Sequence, residues 1–354
     1  MLGGILTLLL GANTGWQVKV GLILIPTVVY AIMLWNRTFP VNERVAAGVS
    51  YLEMLKQVGI LGALIIFVLV FMEIGRIFEF PTAVTAILAL GSAGLFGYYT
   101  KSLGKPMFIL MLLIMIPLAI TELGVDSWIS DLMAGEMQKI GIAGGWVLVY
   151  TSFIMMILRF TAGPIVHRLS PLGLLATCAA LAALGLVFLS QAAGVAILLA
   201  ATLYGVGKSF FWPTSLGVVA EQFPKGGALT LNAVAGVGML AAGIVGGPFL
   251  GYFQDTQVEK EIVAYDSANS TQLKDTYVIM EKKGVFGKYM SLDHQKVEAA
   301  PENDKQPIHQ IQGNAKKGAL KTVAIFPVIM LLCYIGLILY FRSRGGYKPV
   351  DIGH

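Results

Sequence analysis

The sequence predicts an all-α polytopic membrane protein: a bundle of about nine full transmembrane helices, with one truncated helix at its N-terminus. Three observations predict it. Of 354 residues, 56% are hydrophobic and only 13% charged, with a mean hydropathy of +0.75. Soluble domains carry about 25% charged residues and cannot hide this much apolar surface in one core. The apolar residues also fall in long blocks, each near the roughly 20 residues that cross a bilayer. Hydrocarbon forces such blocks into helices, because every backbone N–H and C=O must find its partner within the segment. Finally, Lys and Arg divide unequally between alternate loops, as they do around membrane spans.

Taken in order, residues 1–11, "MLGGILTLLLG", make an apolar block of about half a span. It lacks the basic and polar regions of a signal peptide, so the chain is expected to open partway through a helix. Full spans are predicted at 18–35, 59–76, 82–100, 106–128, 144–162, 171–190, 194–217, 228–252 and 319–341. Two polar stretches interrupt them. Residues 36–58 form a linker with a short surface helix over 49–57. Residues 253–318 form an insert in which "VEKEIVAYD" and "TYVIMEKKGVFGKYM" order parts and 292–317 is disordered. Eleven basic residues fall in the short loops of one side: Arg37, Arg44, Lys56, Lys101, Lys105, Arg159, Arg168, Lys225, Arg342, Arg344 and Lys348. Only three, Lys19, Arg76 and Lys139, fall on the other. The C-terminus is therefore predicted to be cytoplasmic and the insert extracytoplasmic.

Other classes are thinly supported. Cys178 and Cys333 both lie in apolar blocks, which leaves no disulfide framework and no metal-ligand spacing. The net charge of +5 is scattered over loops rather than gathered on one face, so no nucleic-acid partner is expected. A membrane-embedded transferase needs a convergent constellation, yet His167, His294, His309 and His354 are dispersed over loops and tail. No metal, no cofactor and no enzymatic activity are expected.

The informative residues are polar ones inside the spans, where an ionisable side chain costs a few kcal/mol and faces a cavity or a partner. Lys208 in "LYGVGKSFFWP" stands roughly 14 Å from the nearer surface at 1.5 Å per residue. Tyr204, Lys208, Phe211, Trp212 and Ser215 follow at i, i+4, i+7, i+8 and i+11, one helical face expected to line a water-accessible cavity. Pro213 can loosen the helix beside them. A lysine paired to a neighbouring carboxylate for structure alone is the alternative. In "ITELGVDSWISDL", Glu122 and Asp126 share a face, and the nearby Pro117 and Gly124 suggest a bent or broken helix. Either carboxylate could carry a proton, or both could sit at the water interface with Asp126 capping a turn. Gly236, Gly243, Gly247 and Gly251 form a small-residue stripe suited to tight helix packing, with Asn232 a polar clasp or ligand contact. Trp146 and Tyr150 line a cavity or anchor the helix.

Two loops carry a resemblance. "RFTAGPIVHRLSPLG" (159–173) resembles the loop signature of the major facilitator superfamily at Gly163, Ile165, Arg168 and Gly173, with His167 where an acidic residue usually sits. "GVVAEQFPKGGALTLNAVAGVG" (217–238) is similar to its E-x-x-P loop and the Gly-rich helix after it. The resemblance divides the chain into four parts. Residues 1–35 are the remnant of an N-terminal bundle and 36–58 a cytoplasmic linker. Residues 59–100 are an extra transmembrane pair, and 101–354 a C-terminal six-helix bundle with the insert at 253–318. It implies a secondary transporter, a monomer in the plasma (inner) membrane, moving a small polar solute, a sugar or organic anion, by alternating access. Substrate contacts then fall to Tyr204, Lys208, Phe211, Trp212, Tyr150 and Asn232, proton coupling to Glu122 and Asp126, and a cytoplasmic gate to Arg159, Arg168 and Glu221. A truncated, non-transporting protein or receptor using the insert is the other reading.

Overall fold

In a computed structural model of the chain, residues 5–6, 9–10 and 14–352 are described. Most of the expected half-span at 1–11, and His354, lie outside them. Among the described residues, seven helical segments are long and apolar enough to cross a membrane, and Gly145–Phe160 is a shorter apolar one. The protein is an all-α polytopic membrane protein whose only described strands form one short hairpin outside the apolar blocks.

The first apolar stretch forms α1 (Trp16–Gly21) and α2 (Leu24–Leu34), neither with a buried residue. In the linker, α3 (Glu43–Ala46) is a single turn. The helix expected over 49–57 is the opening of α4 (Tyr51–Ile77), capped by Ser50, whose hydroxyl accepts the Glu53 N–H at 3.3 Å. Gly59 kinks α4 at φ 61°, because the loop after α5 (Thr82–Thr100) docks there. The Ile60 N–H donates to the Ser102 carbonyl at 2.9 Å and the Lys105 N–H to that of Gln57 at 3.1 Å. A Cβ on Gly59 would stand 2.0 Å from the Gly104 nitrogen, so glycine alone fits.

The bundle continues with α6 (Pro106–Ala119), a π turn (Ile120–Gly124) and α7 (Val125–Leu132) as one run, then α8 (Ala134–Gln138). Next, α9 (Gly145–Phe160) leads through α10 (Gly163–Arg168) to α11 (Pro171–Gln191). The span expected at 194–217 is two helices, α12 (Ala196–Lys208) and α13 (Phe211–Gln222). After a 3₁₀ turn come α14 (Gly227–Ala241), a second π turn (Ala242–Gly246) and α15 (Gly247–Asn269).

The insert is ordered throughout. It holds the end of α15, α16 (Leu273–Tyr277), an antiparallel hairpin of β1 (Met280–Gly284) and β2 (Gly287–Ser291), and α17 (His294–Glu298). Then α18 (Glu302–Val323) runs back to α19 (Ile325–Arg342). The expectation of disorder over 292–317 is thus corrected. In α18, Ile308, Ile311, Ala315 and Ala319 follow at i, i+3, i+7 and i+11 and are buried. Ile308, Ile311 and Ala315 share a separate small core with Val258 and Ile262 of α15 and Tyr277 of α16.

α11 lies at the centre, packed against α12, α13, α18 and α19. It meets α12 at backbone distance. A Cβ on Gly185 would stand 2.4 Å from the Tyr204 nitrogen, and one on Gly207 2.4 Å from that of Ala182. This seats Tyr204 and Lys208 deep in the bundle. The tight contact expected of the other glycine stripe is absent: a Cβ on Gly236, Gly243 or Gly247 would meet nothing within 4 Å. The second π turn adds a residue and rotates the helix face. Gly246 makes the contact instead, where a Cβ would lie 3.2 Å from Ile120 of the first π turn.

Candidate functional site

Two helix interruptions build the site. Pro213 has no N–H, so the carbonyl of Ser209, four residues earlier, has no helical donor. The chain leaves helical geometry at Phe210 (φ −110°, ψ 1°) and restarts at Phe211. The freed Ser209 carbonyl accepts the Arg159 Nε–H at 2.8 Å. In the first π turn the Val125 N–H donates to the carbonyl of Ile120, one residue further back than in an α-helix. That leaves the Thr121 carbonyl free, and the Tyr204 hydroxyl donates to it at 2.8 Å.

Four charges meet between these interruptions. Lys208, fully buried, forms an ion pair with Asp126, whose side chain is 21% exposed. The Lys208 ammonium also lies 5.1 Å from the centre of the Tyr204 ring. Glu122, buried on the first π turn, holds the Arg159 guanidinium through Oε1 at 3.5 Å. Its other oxygen, Oε2, is buried. The four charges sum to zero, as burial demands: an unpaired charge at this depth costs several kcal/mol. Arg159 reaches the cluster from a groove of about 380 Å³ that it lines with Phe210, Pro213, Thr214 and Glu221. One arginine therefore joins a surface groove to a buried carboxylate.

The structure sorts the residues singled out in the sequence. Tyr204, Lys208, Glu122 and Asp126 come together. Lys208 has the carboxylate partner of the alternative reading, and the expected stripe is closed in by protein: Tyr204, Phe211 and Ser215 are buried. The break at Ser209–Phe210 also divides that stripe between two helices. Trp212 is half-buried, its backbone N–H beside Glu122. Tyr150 shares a 2.7 Å hydrogen bond with Thr202, apart from the charges. Asn232 is exposed on α14, and Arg168 is exposed on α10. Glu221 pairs with neither arginine here; its carboxylate accepts the Tyr347 hydroxyl at 2.7 Å. Arg159, expected at the gate, belongs to the buried cluster. Thr121 and Ser209 carry no sequence signal at all, because only the fold brings them to the charges.

No protein family, curated protein or solved structure matches the chain.

Among the described residues no group of three or more His, Cys, Asp or Glu is placed to hold a metal ion. What the cluster can do is exchange partners. A proton on Glu122 would remove the charge that holds Arg159, and each cation could pair with either carboxylate. Such exchanges would redistribute charge beside the breaks in α6–α7 and α12–α13.

Proposed function

We propose that this protein is a secondary active transporter that moves a small polar solute, a sugar or organic anion, by alternating access and couples it to a proton. The observation that carries the reading is the cluster Glu122–Arg159 and Asp126–Lys208, in which Glu122, Asp126 and Lys208 stand beside breaks in the helices that bear them. Ion pairs in an apolar interior are a poor way to gain stability, since apolar residues of the same volume do as well or better. Ionisable groups inside a membrane mark solute or proton pathways by default, and interrupted helices supply the freed backbone groups such pathways use.

In this reading Glu122 carries the proton, because it is buried on the π turn and its arginine stands off at 3.5 Å. Asp126 is second. Lys208, Tyr204, Phe211 and Trp212 face the solute once the cluster opens, with Tyr150 contributing from α9. Asn232 and the open glycine face of α14 and α15 would border the second half of a major-facilitator-type bundle. The pairing of Glu221 with Arg159 or Arg168 would belong to a conformation in which Tyr347 has let go. The protein would act as a monomer in the plasma (inner) membrane, with the C-terminus cytoplasmic. A non-transporting receptor is the second reading, favoured by the separate core of the insert.

The test is uptake into proteoliposomes of a panel of labelled sugars and carboxylates, under an imposed pH gradient, with an entrapped pH dye. Solute accumulation accompanied by proton entry supports transport. Absence of both across the panel, with a solute bound to the insert alone, supports the receptor.

A further inference from the structure

We infer that the groove between the start of α6, the end of α13 and the chain after α19 is a headgroup site for an anionic phospholipid. The groove has a volume of about 440 Å³, within the roughly 300–1,000 Å³ of ligand pockets. Lys105, Arg344 and Lys348 line it, over a floor that includes Phe223, Tyr340 and Phe341. The Arg344 guanidinium stacks on the Tyr340 ring at 4.6 Å. Stacking uses its face and leaves the N–H edges for phosphate oxygens. The N-terminus of α6, a helix of 14 residues, opens at Pro106 beside Lys105 and adds its unpaired N–H groups to the same positive field.

The groove is held in shape. A polar tail after a membrane helix is ordinarily loose, but this one is turned back by Gly345 and Gly346, both at positive φ. The Gln222 side chain donates to the Lys348 carbonyl at 2.8 Å, and the Val350 N–H donates to that of Glu221 at 2.8 Å. Tyr347 packs edge-on against Phe341, with ring centres 5.0 Å apart. Lys348 and Arg344 are thereby fixed opposite Lys105.

Position selects a lipid over a soluble anion. The cations stand where the apolar helices begin and end, the level of lipid headgroups, and the exposed Tyr340 flank of α19 continues from them into the apolar zone. Basic pockets between membrane helices bind acidic headgroups there.

The experiment is native mass spectrometry of the full chain released from nanodiscs of mixed phosphatidylglycerol and phosphatidylcholine. The wild type should retain phosphatidylglycerol selectively, and K105A/R344A/K348A should lose that selectivity. The charge-keeping K105R/K348R, which leaves the Arg344 stack in place, should retain it. A photoactivatable phosphatidylglycerol should label residues 340–350 of the wild type, which keeps the test independent of how the triple variant folds. Equal retention by wild type and a folded triple alanine variant, or labelling elsewhere only, overturns the site. Displacement of the lipid by millimolar inorganic phosphate assigns the groove to a soluble anion and overturns it equally.

Discussion

Lys208 shows how much one residue can report. Its depth is legible from the sequence, because any ionisable group that far from both ends of an apolar block needs a partner. Which partner is not legible: Asp126 is 82 positions away, and only the packing of α12 against its neighbours joins them. The pair sets a clear expectation. Lys208→Met alone leaves Asp126 without its cation and should lower stability by about 3–5 kcal/mol, the usual cost of breaking a buried pair. Adding Asp126→Leu should recover most of that, since two apolar groups replace two charges. Unfolding of the single and double variants in one detergent measures this. Equal, additive losses would show that the two side chains do not act together. Arg159 carries the opposite lesson. At the end of its helix it reads as a loop charge, yet its long side chain reaches inward to Glu122 and to the Ser209 carbonyl.

At the level of elements, prolines were the readable punctuation. Pro117 and Pro213 each flag the helix in which a break is found, for Pro213 by direct loss of an N–H. The π turn at Ala242–Gly246 has no such mark, and the glycines around it read as a packing stripe until the extra residue turned them. Pro213→Ala should restore a donor to the Ser209 carbonyl, join α12 to α13 and release Arg159 from one of its two acceptors. Spin-label distances across 204–218 should then fit one straight helix, with transport slowed and stability unchanged or higher. A persistent break at 209–210 would mean that the charges, rather than the proline, hold it open. The order of the insert is not legible in the sequence because α18 is mostly polar and holds Pro307, and its apolar positions matter only against α15 and α16. It is clasped to the bundle by Lys317–Glu136 at 2.8 Å and Lys316–Asp131 at 3.0 Å, with Lys139 also on Glu136 and His309 beside them. Hydrogen bonds from the Lys317 and Lys139 ammoniums hold the Glu136 carboxyl below its ordinary value of 4.5. The contribution of Glu136 is therefore full above that value and fades as pH falls through the lower folded one. Amide exchange over 302–317 should speed up between about pH 6 and about pH 3, after correction for intrinsic rates, and Glu136→Gln should flatten the change.

On the scale of the whole molecule, the parts follow the apolar blocks: a hairpin of α4 and α5 lies along α14, four helices pack around α11, and an ordered insert caps one end. The cluster joins α6–α7, α9 and α12–α13, and the first π turn that bears Glu122 packs on the second in α14–α15. The proposed function rests on that geometry: proton binding at Glu122 has to weaken its hold on Arg159 and let these helices rearrange. Glu122→Gln imitates the protonated state permanently. It leaves Arg159 without its carboxylate, which the arginine tolerates because 41% of its side chain is exposed to the groove. The most direct measurement compares two rates for this variant in the same proteoliposomes: uphill uptake driven by a pH gradient, and exchange of solute at equal concentrations on both sides. The account predicts that uphill uptake is lost while exchange persists and no longer varies with pH. Uphill uptake at the wild-type rate with its pH dependence intact would contradict it.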